Sequence, residues 1–218
     1  MPLTEIVPAP ALRAWVDRIW VRTGAEGGRV LPDGAADIIF GGNETFAVGT
    51  MTRPLDVPAG GGDLIGVRFQ PGRAATFLGM PLAEITDARV PVRVDLHPQT
   101  LERDLLKRLA RNDELDLRVD YAIAMLVRSG GRASIDDVAR RAGMTRQHLR
   151  RKFLDVVGVS PKFFARVMSF RRVVASLDAV SSWADAALDH GYVDQSHLIA
   201  DFRALAGTTP GKFQFSYP

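Results

Sequence analysis

Short apolar runs separated by turn residues characterise the N-terminal part of the chain. The run LIGVRF at 64–69 is typical of a strand, and Asp33-Gly34 and Gly41-Gly42 are turn sequences in which glycine tolerates a positive φ. Strands are predicted by this criterion at 36–40, 46–48, 64–69 and 90–94. Helical spacing predicts a short helix at 73–78 and a longer one at 11–21, with a stripe formed by Leu12, Trp15, Val16 and Ile19. The pattern therefore indicates a small β-rich domain.

The pattern changes from His97 onwards, where glycine and proline become rarer and apolar residues recur at i, i+3 and i+4. One amphipathic helix is predicted with Leu101, Leu105, Leu106 and Leu109 on its apolar side. A polar break at 112–114 separates it from a second helix with a stripe of Leu117, Tyr121, Ala124, Met125 and Leu126. Ser134 is placed to cap a third helix at 135–141, with Asp136 and Asp137 in its first turn. This part of the chain is therefore expected to be all-α.

An internal repeat at a separation of 48 to 49 residues is the most informative feature of the C-terminal half. In the first copy, Gly143 is followed by His148, Leu149, Phe153, Gly158, Pro161 and Phe164. In the second copy, Gly191 is followed by His197, Leu198, Phe202, Gly207, Pro210 and Phe213. The matching aromatic residues, together with Trp183, are predicted to be core residues rather than a stacking platform for single strands.

Each copy has the layout of a helix, a glycine turn and a second helix. Small residues on the first helix, Ala139 and Ala187, allow the second helix to cross it closely, and the glycine turns the chain between them. In the first copy, the side of the second helix opposite the buried leucine and phenylalanine shows Gln147, Arg150 and Arg151. Glutamine and arginine are the side chains that hydrogen-bond bidentately to adenine and guanine in the major groove. The layout therefore predicts two helix-turn-helix modules.

These patterns together predict an α+β chain, in which a small β-rich N-terminal domain is followed by an all-α domain with two helix-turn-helix modules joined by a linker helix. We predict a regulatory domain at 1–98, a helical connector at 99–114 and a DNA-binding domain at 115–218. Within the last, the modules are expected at about 135–156 and 183–206, with the linker helix at about 161–177.

The formal charge of +3 averages two unlike halves. Residues 1–98 hold nine arginines against eleven acids, whereas residues 140–172 hold ten bases against one acid, Asp155. Such a basic segment attracts a phosphate backbone, although a solvated helix face is the alternative interpretation. The second module is net negative, with Asp194 and Asp201 expected beside its recognition helix.

Several classes of function are excluded by composition. With no cysteine, a disulfide framework, a zinc site built on cysteine and a cysteine nucleophile are all impossible. Four histidines and no catalytic spacing lead us to expect no metal site, no cofactor and no enzyme activity. No apolar run reaches the ~18 residues of a membrane span, and the N-terminus lacks a signal-peptide pattern. We therefore expect a cytoplasmic protein with no membrane partner.

Between 117 and 213 the chain resembles the C-terminal DNA-binding domain of the AraC/XylS family of transcription regulators. The resemblance rests on both modules, the linker helix and the Gly-x-Ser/Thr-Pro sequences that begin at Gly158 and Gly207. It implies two recognition helices in successive major grooves of double-stranded DNA. Carried over by position, the DNA-contacting residues are Arg146, Gln147, Arg150, Arg151, Gln195, Ser196, Ile199 and Arg203. The chain departs from the family at Ala200, where a basic residue is common.

The N-terminal part resembles the short β-barrel-like domains attached to some of these regulators, on the segments 31–37 and 64–69. In the family such domains bind a small effector, dimerise, or both. A pocket is predicted from aromatic and charged residues: Trp15, Trp20, Asp33, Asp37 and Arg68. In the alternative interpretation Asp33 belongs to a turn, Arg68 pairs with one of these acids and the tryptophans are core residues.

The sequence as a whole predicts a sequence-specific DNA-binding transcription regulator. Its candidate partners are double-stranded DNA, RNA polymerase, a small-molecule effector and a second copy of the chain. The alternative is a protein-interaction adaptor that uses the helical domain without specific DNA readout.

Overall fold

The computed structural model describes residues 3–24, 27–42, 44–60, 62–93, 98–109, 115–177, 180 and 182–213. Their strands, β1 to β8 in chain order, are Leu3–Ile6, Val16–Arg22, Gly28–Val30, Asp37–Gly41, Glu44–Val48, Leu55–Val57, Leu64–Phe69 and Arg89–Pro91. Their α-helices, α1 to α8, are Ala74–Leu78, Leu101–Leu109, Leu117–Arg128, Ile135–Arg141, Arg146–Val157, Pro161–Ala175, Trp183–Asp189 and Gln195–Ala206. The predicted α+β class, with strands first and helices after, is confirmed.

Six of the described strands form one antiparallel sheet in the order β1-β2-β7-β4-β5-β8. Strands β3 and β6 form a separate two-stranded antiparallel sheet. One face of the large sheet packs on an apolar core that includes Ile38, Val67 and Phe69. Helix α2 completes this core through Leu101 and Leu105. The predicted connector helix therefore packs with the N-terminal domain; the polar break at 112–114 lies outside the described residues.

The helix predicted at 11–21 is wrong. A single 3₁₀ turn at Pro10–Leu12 precedes strand β2, which pairs with β1 on one side and β7 on the other. A register irregularity between Val16 and Arg18 explains the error, because it lets Val16 and Ile19 both face the core although they are three residues apart. The bulge thus imitates helical spacing, and sheet pairing on both edges decides the structure.

Other differences are smaller. The short edge strands β1, β3 and β6 carry too few apolar residues to stand out in the sequence, and β8 ends at Pro91 rather than at residue 94. Helix α3 forms as predicted, but Leu117 and Tyr121 of its predicted stripe are exposed. Its buried residues are Val119, Ala122, Ile123 and Leu126. The buried face of α3 is therefore rotated about the helix axis relative to the predicted stripe.

The C-terminal domain is built around α6. Its side chains contact both recognition helices: Phe164 meets Phe153 edge-on with ring centroids 5.7 Å apart, and Phe170 meets Phe202 in the same manner at 5.0 Å. These phenylalanines are fully buried, which agrees with the prediction that the repeated aromatic residues are core. No helix in the part of the chain that the structure describes is long and apolar enough to cross a membrane.

The two domains contact each other directly. The 3₁₀ segment Leu82–Ile85 and helix α1 pack against α5, and Arg73 forms an ion pair with Asp120 at 2.5 Å. Gly34 lies so close to α6 that a Cβ atom there would be 2.6 Å from a ring carbon of Phe164. The sheet domain is therefore fixed against the first helix-turn-helix module and the linker helix.

The rotated face of α3 predicts unequal effects of the same substitution at two positions. Leu126→Ala removes a fully buried side chain and is expected to lower the free energy of unfolding by about 2–5 kcal/mol. Leu117→Ala changes a side chain that is 75% exposed and is expected to stay within about 0.5 kcal/mol of the wild type. Urea denaturation of both variants tests this; equal losses would contradict the assigned face.

Candidate nucleic-acid interface and interdomain cavity

The two modules have the same local geometry. In the first, α4 ends before Gly143, which has a φ of +65°, and Thr145 caps α5 by accepting the His148 amide at 3.1 Å. In the second, Gly191 has a φ of +82° and Asp194 caps α8 by accepting the His197 amide at 2.8 Å. Ala139 and Ala187 are buried where the paired helices cross. The sequence repeat is thus a structural repeat of helix, left-handed glycine turn and capped helix.

Helix α5 buries one side and exposes the other. Leu149, Phe153 and Val157 face the core, whereas the predicted DNA-contacting residues of this helix are exposed, namely Arg146, Gln147, Arg150 and Arg151. The exposed set is continuous along the first turns of the helix, as a groove-reading surface requires.

Ion pairs neutralise much of the basic segment at 140–172. Asp137 pairs with both Arg140 and Arg141, Asp136 pairs with Arg146 at 3.0 Å, and Asp116 lies 3.7 Å from the ammonium of Lys152. Within the described ranges, Arg150 and Arg151 have no acidic partner, and Arg151 contacts only the ring of His148 at 3.4 Å. These two arginines therefore place positive charge without an acidic partner on the exposed face of α5.

Asp194 and Asp201, the two acids expected beside α8, both form hydrogen bonds within the fold. Asp201 is only 2% exposed and points towards α6, where its carboxylate accepts from Arg166 Nε at 2.5 Å. Asp194 is the N-cap of α8. The two acids expected beside α8 are thus both engaged within the fold, the exposed Asp194 as the helix cap and the buried Asp201 in an ion pair with α6. Of the predicted contact residues on α8, Gln195, Ser196 and Arg203 are exposed and Ile199 is half-buried.

The ion pair between α6 and α8 also affects its neighbours. Tyr192, at the turn of the second module, is buried, and this burial, reinforced by the Asp201 carboxylate, raises the pKa of its phenol. The tyrosine therefore remains neutral and packs edge-on against His197. In the part of the chain that the structure describes, no three metal-ligating side chains are grouped.

A cavity of about 1080 Å³ lies between the two domains. One wall is the sheet face opposite the N-terminal core, and it includes Trp20, Ile39 and Phe46. The other wall comes from the C-terminal domain, chiefly Phe170 and Val174 of α6 together with residues that follow α8. Any molecule in this space would therefore touch the sheet and the linker helix at once.

Four of the five predicted pocket residues form one hydrogen-bonded network in the cavity wall. Trp20 Nε1 donates to Asp37 at 3.0 Å, and Arg68 contacts Asp37 at 3.1 Å and Asp33 at 2.7 Å. Asp33 also accepts the Ala35 amide within its turn. The turn and pairing of the alternative interpretation are thus present, and the same residues line the cavity.

Trp15 does not belong to this group. It lies in the N-terminal core, edge-on to Phe77 with centroids 5.8 Å apart and beneath the guanidinium of Arg73. The prediction that Trp15 lines the pocket is therefore wrong, and for this residue the alternative interpretation, a core tryptophan, agrees with the structure.

Comparison with known proteins supports the assignment of the modules. Residues 138–215 match the family model described as a helix-turn-helix domain. Residues 4–91 match a domain of unknown function, DUF6597. No curated protein is significantly similar to the chain in sequence.

Solved structures of ToxT from Vibrio cholerae show a distant similarity. One at 1.65 Å resolution has a TM-score of 0.46 at 9% identity and covers 97% of each chain. A second has a TM-score of 0.44 at 11% identity, covering 89% of this chain and 94% of that one. A third, bound to an unsaturated fatty acid, has a TM-score of 0.42 at 12% identity and covers 88% and 91%. At these scores the similarity carries no argument about function.

Arg22 is a cavity residue that sequence reasoning missed. It is 6% exposed, its Nε has no hydrogen-bond partner, and no acid among the described residues pairs with it. The other arginines that the sheet strands contribute to the cavity, Arg18, Arg68 and Arg89, each contact a carboxylate. The alternation of Arg18, Trp20 and Arg22 along β2 is the signal that a strand prediction would have revealed.

The ion pair between α6 and α8 gives a second prediction. Asp201→Asn removes the charge that holds Arg166 and is expected to lower the free energy of unfolding by about 1–3 kcal/mol. Asp189→Asn on exposed α7 is the matched control and is expected to stay within about 0.5 kcal/mol. Chemical denaturation compares the two; a control loss as large as that of the buried position would refute the assigned role.

Proposed function

We propose that the chain regulates transcription by reading a specific double-stranded DNA sequence with α5 and α8 in successive major grooves. The observation that carries the proposal is the exposed face of α5, where Gln147, Arg150 and Arg151 stand together and neither arginine has an acidic partner. Arginine with two free donors matches the O6 and N7 acceptors of guanine, and glutamine matches adenine. Neither arginine has an ion pair to give up when DNA arrives.

The two modules contribute different interactions in this proposal. The first provides charge and bidentate hydrogen bonds, whereas α8 offers Gln195, Ser196 and the half-buried Ile199. The hydroxyl and amide suit base edges, and the isoleucine suits a thymine methyl group. The exposed Arg203 is suited to a phosphate. Since α6 packs against both α5 and α8, it keeps the separation of the two helices constant. Two successive major grooves on one face of the DNA require such a constant separation.

Substitution of α5 tests base reading. The probe is a duplex selected from a randomised pool with the wild-type chain. Arg150→Ala and Arg151→Ala are each expected to weaken binding to it by about 1–3 kcal/mol, because each removes a bidentate contact, and to relax preference at one base pair. Arg103→Ala, an exposed arginine on α2, is the control and is expected to bind normally.

Titrations at several salt concentrations separate the proposal from its alternative. A DNA reader loses affinity as salt rises, because bound phosphates release counterions. A protein-interaction adaptor would show neither a selected sequence nor a salt dependence. Unchanged affinity in both arginine variants would also refute direct readout by α5.

We propose further that a small molecule in the interdomain cavity modulates DNA binding. The cavity has aromatic and aliphatic walls from both domains, and it contains Arg22, a buried cation without a counter-charge. A buried unpaired charge is costly, and a carboxylate or similar anion on a largely apolar molecule would relieve that cost. The network of Trp20, Asp37 and Arg68 is already satisfied internally and instead shapes the wall.

Paired acids and amides test the anionic requirement. In a thermal-shift screen of apolar carboxylic acids against their neutral primary amides, the acids are expected to raise the melting temperature more than the amides. Arg22→Met is expected to remove this difference without lowering the melting temperature of the free protein, because it deletes an unpaired buried charge. Arg93→Met, at an exposed position outside the cavity, is the control. A preference for acids that persists in Arg22→Met would refute the proposed anchor.

A further inference from the structure

Two threonine hydroxyls of the N-terminal domain bond to the C-terminus of recognition helix α5. Thr50 Oγ1 donates to the carbonyl of Val157 at 2.6 Å in a buried contact. Thr86 Oγ1 donates to the carbonyl of Gly158 at 2.7 Å. The last carbonyls of a helix have no partner within the helix, so another group must satisfy them. Here these donors come from a different domain.

Both threonines belong to loops that are held together rigidly. Gly49 N donates to Ala88 O at 3.1 Å, Asp87 N donates to Thr50 O at 3.2 Å, and the Asp87 carboxylate accepts the Thr52 amide at 2.6 Å. Asp87 has a φ of +57°, a left-handed conformation that aspartate tolerates better than most residues other than glycine, so it suits this tight turn. The two hydroxyls therefore act from one fixed unit.

The same unit forms part of the cavity wall. Met51 and Asp87, each adjacent in sequence to one of the threonines, line the cavity, as do Gly49 and Ala88. Residues that line the cavity are thus direct sequence neighbours of the two threonines that hold α5. A shift of the cavity wall would be passed to the helix through the two hydrogen bonds.

The geometry points to Thr50 and Thr86 as positioning residues that set the orientation of α5 for DNA. Helix α5 has 12 residues and is about 18 Å long, so a change of angle at Val157 moves the reading face near its other end. That face is exposed while the domains are docked, so the docked arrangement presents α5 to the groove. This inference rests on the proposed DNA reading by α5.

The test removes each hydroxyl from the full chain. Thr50→Val and Thr86→Val keep the side-chain shape, and each is expected to weaken binding to the selected duplex about threefold to tenfold at a temperature where all variants are folded. Thr50→Ser and Thr86→Ser retain the donor and are expected to restore wild-type affinity. Thr4→Val, an exposed threonine on β1, is the matched control and is expected to bind as the wild type does.

The outcomes separate this inference from the proposed function. If both valine variants melt at lower temperature but bind the duplex as tightly as the wild type, the hydroxyls only stabilise the domain contact, and the inference is overturned. It is equally overturned if the serine variants fail to restore affinity. Should Arg150→Ala weaken binding while both valine variants do not, DNA reading stands and positioning by the threonines fails.

Discussion

Burial of helix α6 is the constraint on which the rest of the structure depends. Four of its side chains are almost completely buried, namely Phe164, Val167, Phe170 and Val173. The helix packs against three different partners. These partners are α5, α8 and the N-terminal domain, and each of them packs directly against α6. A close-packed helix cannot turn or slide without opening space, so the positions of all three partners are linked. Gly131 shows how tight the packing is, since a Cβ there would be 1.9 Å from the carbonyl oxygen of Ala165.

The distribution of paired and unpaired charge distinguishes groups that hold the fold from groups left for ligands. Arg166 bonds the buried Asp201, and Arg68 is held by two carboxylates, so these cations stabilise the arrangement of helices and strands. Arg150 on α5 and Arg22 in the cavity lack such partners among the described residues. A cation without such a partner stabilises the fold less than a paired one, and local departures from optimal stability are typical of functional sites. The net charge of the segment alone does not reveal which arginines are available.

The sequence predicted most of the C-terminal domain because local signals agree there. A repeat, a glycine turn and leucine and phenylalanine at i and i+4 all specify the same helices, and α4 has the predicted bounds. In the N-terminal domain local signals conflict: the bulge in β2 gives strand residues a helical spacing, and pairing with distant strands decides the outcome. Because a helix was predicted at 11–21, the strand alternation that places Arg22 on the same side as Trp20 was not recognised. Contacts such as Thr50 with Val157 join residues 107 positions apart and leave no periodic trace, so only the folded chain reveals them.

Gly34 was identified as a turn residue, and its position against Phe164 gives it a second effect. With a φ of +79° and no side chain, it lets the loop touch the linker helix, while the carbonyl of neighbouring Asp33 accepts a hydrogen bond from Arg171 at 3.3 Å. This contact joins the loop before β4 to α6, and the neighbouring residues Asp33 and Ala35 line the cavity. A larger residue would act as a wedge. The absence of a side chain at Gly34 therefore sets how closely the N-terminal domain can approach α6 at this point.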